Sequence, residues 1–332
     1  METPTINKTK GNGNGRWHST LEMSREEWLA SRKQYIGGSD VSAILGLNPY
    51  KNRMDLYFEK VNELPVEEPD NDRLWFGREV EPVIAKRFAE EYGLTVKIDN
   101  KIRTNREHPF LAANIDRLIE SVDERGPGIL EIKTTNKFYA ETWENEIPEM
   151  WLTQLYHYMS VTGYRWAYIA YLVDRDFHVF YVERDEEVDQ VIKRIEEKLV
   201  SFWKDHVEPQ MPPPPQNYDE VVQLFPTEEP GKSVELSKNM RQMMLDYLAA
   251  KDDEKKAKAE AEEIRDAMAV YMEDAEVLAL SEKPVATFKH QKQNRIDSKK
   301  LKADHPDIAE QYSKVIESRV FRPKKNAEEI LS

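Results

Sequence analysis

The chain has 332 residues, 39% of them apolar and 33% charged, with 48 Lys and Arg against 62 Asp and Glu for a formal charge of −14. No apolar run nears the roughly 20 residues that span a bilayer, the N-terminal stretch METPTINKTKGNGNGRW lacks the apolar segment of a secretory signal, and the absence of cysteine excludes disulfides, thiol nucleophiles and cysteine-held iron–sulfur clusters. A mean hydropathy of −0.75 beside 7 Trp, 15 Tyr and 11 Phe predicts a folded, soluble, cytoplasmic protein with extensive solvated surface.

Residues 1–16 read as a disordered leader, because Gly11, Gly13 and Gly15 alternate with Asn12 and Asn14. Ser24 followed by Glu27 is a capping-box pattern that starts a helix through Trp28, Leu29 and Arg32. Gly37 and Gly38 break it, and Ser39 can cap a second short helix carrying Val41, Ile44 and Leu45. A third helix is expected over 54–61, then an acidic loop (Glu67, Glu68, Asp70, Asp72), then a helix over 77–92 stopped by Gly93. Extended runs follow at 94–102, 111–120 and 128–134, with DERGPG reversing the chain between the last two. A helix over 149–162 ends at Gly163, and strands at 165–173 and 177–183 lead to a helix over 186–206. This order predicts an α/β domain over 17–211, with a central mixed sheet flanked by helices.

Pro212–Pro215 opens a Pro-rich linker, 212–234, and is the expected domain boundary. Residues 233–283 contain neither Gly nor Pro, so a long helix or an antiparallel hairpin is expected there, with 235–276 forming a helical hairpin or a coiled-coil-like arm. The remainder, 277–332, reads as a small basic α+β module, with strands at 285–290 and 319–322 around a helical stretch at 298–312. Its charge reverses sign: 277–325 hold 12 Lys and Arg against 6 Asp and Glu, whereas 1–235 hold 29 against 43.

Four places carry potential chemistry. In Glu131-Ile132-Lys133 the alternation of a strand puts the carboxylate and the ammonium on one face while Ile132 faces the core. Asp116, in LAANIDRLIE, interrupts an apolar strand, and such a carboxylate needs a partner charge, a hydrogen-bond network or a metal. A hairpin through Gly126-Pro127-Gly128 brings it beside Glu131 and Lys133, a hard oxygen-ligand set suited to Mg²⁺ or Mn²⁺; a buried Asp–Lys pair is the plainer alternative. Glu81, in FGREVEPVIAKRF, lies about 20° from Phe88 and about 60° from Ile84 around the helix axis, at the edge of the buried face. Gln154 and Tyr158 are an i,i+4 pair on one helix face, which by itself core packing with an amide at the edge explains better.

Taken together and in order, IGGSDVSAILGLNPY, FGREVEPVIAKRF, the Asp of NID, EIK and the Q-x-x-x-Y of Gln154–Tyr158 resemble the PD-(D/E)XK nuclease superfamily. More narrowly they resemble the YqaJ-like viral recombinases and lambda-exonuclease-type enzymes, over roughly residues 30–205. The resemblance implies a restriction-endonuclease-like core and metal ligation by Asp116, Glu131 and the main-chain carbonyl of Ile132. It assigns Lys133 to water activation, Glu81 to the helix carboxylate of the site, Gln154 to positioning and Tyr158 to the same helix motif. Arg32 and Ser39 match a 5′-phosphate pocket, with Gly37 where a hydroxyl residue can stand and Asn114 where the family has Ser. Implied with it are a Mg²⁺-dependent (or Mn²⁺-dependent) 5′→3′ exonuclease without an iron–sulfur cluster, double-stranded DNA ends as substrate and a single-strand annealing protein as partner. A trimeric ring and a phage or prophage origin belong to the same expectation. A RecB-like nuclease of another specificity and a non-catalytic DNA- or partner-binding protein are the alternatives.

Overall fold

A computed structural model of the chain describes residues 10–11, 16–61, 71–135, 146–315 and 318–331. These fall into two compact units, residues 1–216 and 217–332, divided directly after the proline run.

In the first unit Ser24 caps α1 (Arg25–Ser31), and the reciprocal bond from the Ser24 amide to Glu27 completes the capping box. A short 3₁₀ turn, Arg32–Gln34, follows. Helix α2 (Gly38–Ile44) is capped at Gly37 rather than Ser39, because the Asp40 carboxylate accepts from the Gly37 amide and draws the helix start back. Next come α3 (Arg53–Val61) and α4 (Asp72–Tyr92), which begins five residues earlier than expected because Asn71 caps it through the Leu74 amide. The expected acidic loop lies, but for Asp72, outside the described residues. Gly93 and Gly163 both take left-handed conformations (φ 63° and 75°) at the ends of α4 and of α5 (Glu149–Thr162).

Among the described residues, the central sheet has five strands in the order β3 (Val96–Ile98), β6 (Arg117–Ile119), β7 (Gly128–Thr135), β8 (Trp166–Val173) and β9 (Asp176–Glu183). Only β7 and β8 run parallel, and α5 is the crossover that a parallel pair requires. Ile84, Ala85 and Phe88 of α4 pack on Ile119, Leu130, Ile132, Trp166 and Ala170, closing one face of the sheet. Helix α6 (Glu186–Phe202) then widens into a π turn over Trp203–Val207. The layering is the expected one: a mixed sheet flanked by helices.

Three further expectations are corrected in this unit. The 94–102 run is two strands in two sheets, because buried Asp99 takes the Arg103 guanidinium through both carboxylate oxygens and bends the chain there. The second sheet has the order β1 (Lys10–Gly11), β2 (Arg16–Ser19), β4 (Lys101–Thr104) and β5 (Ala112–Ala113). Its first strand places Lys10 and Gly11 in a ladder with Trp17 and Arg16, inside the stretch expected to be a disordered leader. The 111–120 run likewise breaks into β5 and β6 around Asn114-Ile115-Asp116, and that break carries the site.

The second unit holds α7 (Tyr218–Leu224), the 35-residue α8 (Lys238–Met272), a hairpin of β10 (Val277–Leu280) and β11 (Lys283–Thr287), and α9 (Ser298–Asp304), α10 (Pro306–Gln311) and α11 (Ala327–Leu331). Residues 238–272 are one helix, not a hairpin, since nothing in them turns a chain. Arg319–Arg322, expected as a strand, is not one; it is tied down locally, with the Arg319 carbonyl accepting from Tyr218 and the Phe321 ring edge-on to Tyr247.

Candidate active site

The β6–β7 ladder pairs Arg117 with Leu130, so one residue further out Asp116 stands against Glu131. Asp116 Oδ2 accepts from the Ile132 amide at 2.9 Å. Ile132 itself faces the α4 core, and strand alternation therefore sends Glu131 and Lys133 the other way, toward α5. Glu131 is 1% exposed. Its Oε1 accepts from Lys133 Nζ and from Gln154 Nε2, both at 2.7 Å, and Gln154 Nε2 also lies 2.8 Å from the Tyr158 hydroxyl.

The other half of that carboxylate is unanswered. Glu131 Oε2 and Gln154 Oε1 are buried and meet no hydrogen-bond donor. Burial, and then the nearby Asp116 carboxylate, push the Glu131 carboxyl up to about 8. A buried carboxylate with an unpaired oxygen is costly unless it is protonated or meets a cation. Burial works against the Lys133 ammonium, but Glu131 and Asp116 outweigh it and hold the lysine above its ordinary value. Its Nζ also sits 4.2 Å from the centre of the Trp151 ring.

Glu81 is near the site but engaged elsewhere. The Arg117 guanidinium donates to Glu81 Oε1 and, at 2.7 Å, to the main-chain carbonyl of Asp116. Burial and the Asp116 charge raise the Glu81 carboxyl. With Glu81 drawn to Arg117, no group of three or more His, Asp or Glu among the described residues is gathered tightly enough to hold an ion on side chains alone. Asp116, Glu131 and the Ile132 carbonyl form an all-oxygen set, and the orphaned Glu131 oxygen fits a hard divalent cation.

A second constellation lies on the N-terminal helices. Arg32 Nη2 donates to Ser39 Oγ at 3.2 Å, and the Arg32 guanidinium lies 5.2 Å from the Trp28 ring centre. The Trp28 indole in turn donates to Asn114 Oδ1 at 3.3 Å, so Asn114 joins this group, two residues from Asp116. Tyr158 is buried at 5% exposure. It is also what makes Gly38 necessary: a Cβ on Gly38 would stand 2.3 Å from a Tyr158 ring carbon. The two constellations thus touch, Gly38 beside Ser39 on one side and Tyr158, Gln154 and Glu131 on the other.

Beside Lys133 opens a cleft of about 860 Å³ lined by Tyr50, Arg73, Phe76, Thr134, Thr135 and Trp151, among others. Arg73 brings a positive charge to this cleft, whereas Lys51 pairs with Glu59 and Arg53 donates to the Pro214 carbonyl. Sequence reasoning missed Arg117 and Trp151. The argument that singled out Asp116, a charge within an apolar strand, applies equally to Arg117. Trp151 carries no such signal, because its contact with Lys133 exists only once α5 is docked on β7.

The model of the YqaJ-like viral recombinase domain matches residues 27–165. The protein YqaJ of Bacillus subtilis (strain 168) is 35% identical over 308 residues, covering 90% of this chain and 94% of that protein. Among solved structures, an alkaline exonuclease from Laribacter hongkongensis is 23% identical with a TM-score of 0.48, over 56% of this chain and 94% of the other. A phage-related exonuclease from Haemophilus somnus 129PT is 15% identical with a TM-score of 0.41, over 53% and 96%.

Proposed function

The chain belongs to the YqaJ-like viral recombinase family, and from that premise we propose that it is a metal-dependent 5′→3′ exonuclease acting on linear double-stranded DNA, leaving 3′ single-stranded tails for strand annealing. The observation that carries the reading is the buried Asp116–Glu131–Lys133 constellation with one Glu131 oxygen unpartnered. Mg²⁺, or Mn²⁺ in its place, supplies charge stabilisation at the phosphodiester and lowers the pKa of a bound water.

The chain's own residues do the rest. Asp116, Glu131 and the Ile132 carbonyl hold the cation. Gln154, braced on Tyr158, fixes the Glu131 carboxylate. Lys133 begins as an ammonium, so it orients the attacking water by donation and offsets negative charge building on the phosphate. Glu81 and Arg117 balance one another at the rim. Arg32 and Ser39 hold the terminal 5′-phosphate, where an Arg offers two parallel charge-assisted hydrogen bonds.

Direction is tested on duplexes labelled at one end. With Mg²⁺, a 5′ label should be released early as a mononucleotide, a 3′ label should stay in shortening strands, and a covalently closed circle should survive. Early release of the 3′ label, or nicking of the circle, sinks the assignment and favours a RecB-like nuclease of other specificity. Arg32→Ala should lower the preference for 5′-phosphate over 5′-hydroxyl ends by on the order of tenfold while cleavage persists.

The second unit contributes none of the proposed catalytic residues. We assign it to coupling with DNA or with an annealing protein, through Lys292, Lys299, Lys300 and Lys302 beside exposed Phe288. A chain ending at Gln216 should keep metal-dependent hydrolysis of short duplexes and lose only partner capture. If that shortened chain is folded yet inactive on every duplex, the division of labour is wrong. Trimeric assembly is part of the same proposal, and sedimentation of the intact protein reads it directly.

A further inference from the structure

We propose that Asp40 and Lys60 are positioning residues for the 5′-phosphate pocket, a buried ion pair that sets the spacing between Arg32 and Ser39. The inference rests on the reading of Arg32 and Ser39 as that pocket. Lys60 lies near the end of α3 with a side chain that has no solvent exposure, and the Asp40 side chain is 2% exposed. Lys60 Nζ makes two bonds, to the main-chain carbonyl of Arg32 at 2.7 Å and to Asp40 Oδ2 at 2.8 Å. Asp40 Oδ2 also accepts from the Gly37 amide at 3.0 Å. One carboxylate and one ammonium thus tie the turn that carries the guanidinium to the first turn of the helix that carries the hydroxyl.

Stability alone does not account for this pair. Desolvating two charges costs about as much as their attraction returns, and apolar residues of the same volume do as well or better. Here every bond the ammonium makes ends on the backbone of Arg32 or on the residue that fixes Gly37. Holding a phosphate through Arg Nη2 and Ser Oγ demands placement to within roughly 0.5 Å, and the Lys60–Asp40 link fixes the two turns that carry them. The Asp40 carboxyl is held down at about 2: burial pushes it up, but Lys60, Lys51 and Arg32 outweigh burial. Burial pulls the Lys60 ammonium below its ordinary value against the opposing pull of Asp40; the pair rests on the 2.8 Å contact between them, and the Arg32 and Lys51 cations share the field of the Asp40 carboxylate. Asp40 Oδ1 makes no hydrogen bond, and Lys51 Nζ lies 3.8 Å from it.

The test uses the full chain and the ratio of kcat/KM on 5′-phosphate over 5′-hydroxyl duplex ends. Lys60→Met alone leaves Asp40 buried and uncompensated, so the Asp40→Asn/Lys60→Met double variant, which keeps the volume and removes both charges, is the main probe. Thermal unfolding reports that it is folded. The ratio should fall on the order of tenfold, mostly through KM on phosphorylated ends, and lie between the wild-type and Arg32→Ala values. Asp40→Asn alone retains an acceptor for Lys60 and Gly37 and should recover part of the ratio. A folded double variant with the wild-type ratio, both arms slowed alike, overturns the inference and leaves the pair a scaffold element. Wild-type enzyme indifferent to the phosphate is a separate failure, visible without any variant: it removes the pocket itself, and the positioning role falls with it.

Discussion

Asp116→Asn, Glu131→Gln and Lys133→Ala are each expected to slow hydrolysis of linear DNA by on the order of a thousandfold or more while the protein stays folded. Glu131→Gln is the most telling of the three because it separates activity from stability. Gln fills the same space and keeps an acceptor for Lys133 and Gln154, but it has no charge to offer a cation. The native carboxyl, raised to about 8 by burial and by Asp116, lies above its unfolded value. Its contribution to stability is therefore fully present below about 4.5 and is lost as pH rises through about 8. In chelator-treated protein, Glu131→Gln should thus melt at a higher temperature than wild type at pH 9, with the gap shrinking toward pH 5. Equal melting temperatures across that range would mean that Glu131 is not a strained carboxylate and that the site does not call for a cation.

Gly38→Ala should be the most damaging substitution of a residue with no chemistry of its own. The added Cβ would lie 2.3 Å and 2.6 Å from Tyr158 ring carbons and 2.8 Å from its hydroxyl oxygen, and an aromatic ring on a buried helix face has nowhere to retreat. Overpacking of this kind costs about 1–3 kcal/mol. Displacing Tyr158 also removes the brace on Gln154, so the rate should fall by about tenfold or more beyond what unfolding explains. Gly37→Ala is the control, for its Cβ would meet only Asp40 Oδ2, at 3.8 Å. Melting temperature and kcat measured on both variants decide the matter: a Gly38→Ala enzyme as stable and fast as Gly37→Ala would dissolve the link between the two constellations.

Much of this was legible in the residues. Ser24 with Glu27, and Gly93 and Gly163, act within a turn of their own helices, so α1 and the ends of α4 and α5 could be read locally. The E-x-K spacing survives any register, and Glu131 and Lys133 stand where strand alternation puts them; Asp116 was legible as a charge among apolar residues, but it lies in the break before β6, and the β6–β7 ladder sets it against Glu131. Sheet membership is different. Nothing within 94–102 announces that β3 and β4 join different sheets, since that depends on Asp99 meeting Arg103 and on which strands lie alongside. Lys10 and Gly11 pair because Arg16 and Trp17 are there to receive them, not because of their own propensity. The single span of α8 was foreshadowed by the absence of Gly and Pro, and of the two forms left open there the hairpin required a turn that no residue supplies. Trp151, Asp40 and Lys60 went unnoticed for one shared reason: each acquires its role from a partner eighteen or more residues away, save for the short reach from Asp40 to Gly37.

The central claim is that Asp116, Glu131 and Lys133 form one cation-dependent hydrolytic site. Calorimetric titration of Mn²⁺ into the wild type and into Glu131→Gln, with hydrolysis of a linear 5′-phosphorylated duplex followed on the same samples, addresses it most directly. The account expects saturable binding and hydrolysis by the wild type, each abolished by chelator, and neither from Glu131→Gln. Hydrolysis by chelated wild type, or undiminished hydrolysis by Glu131→Gln, would contradict it.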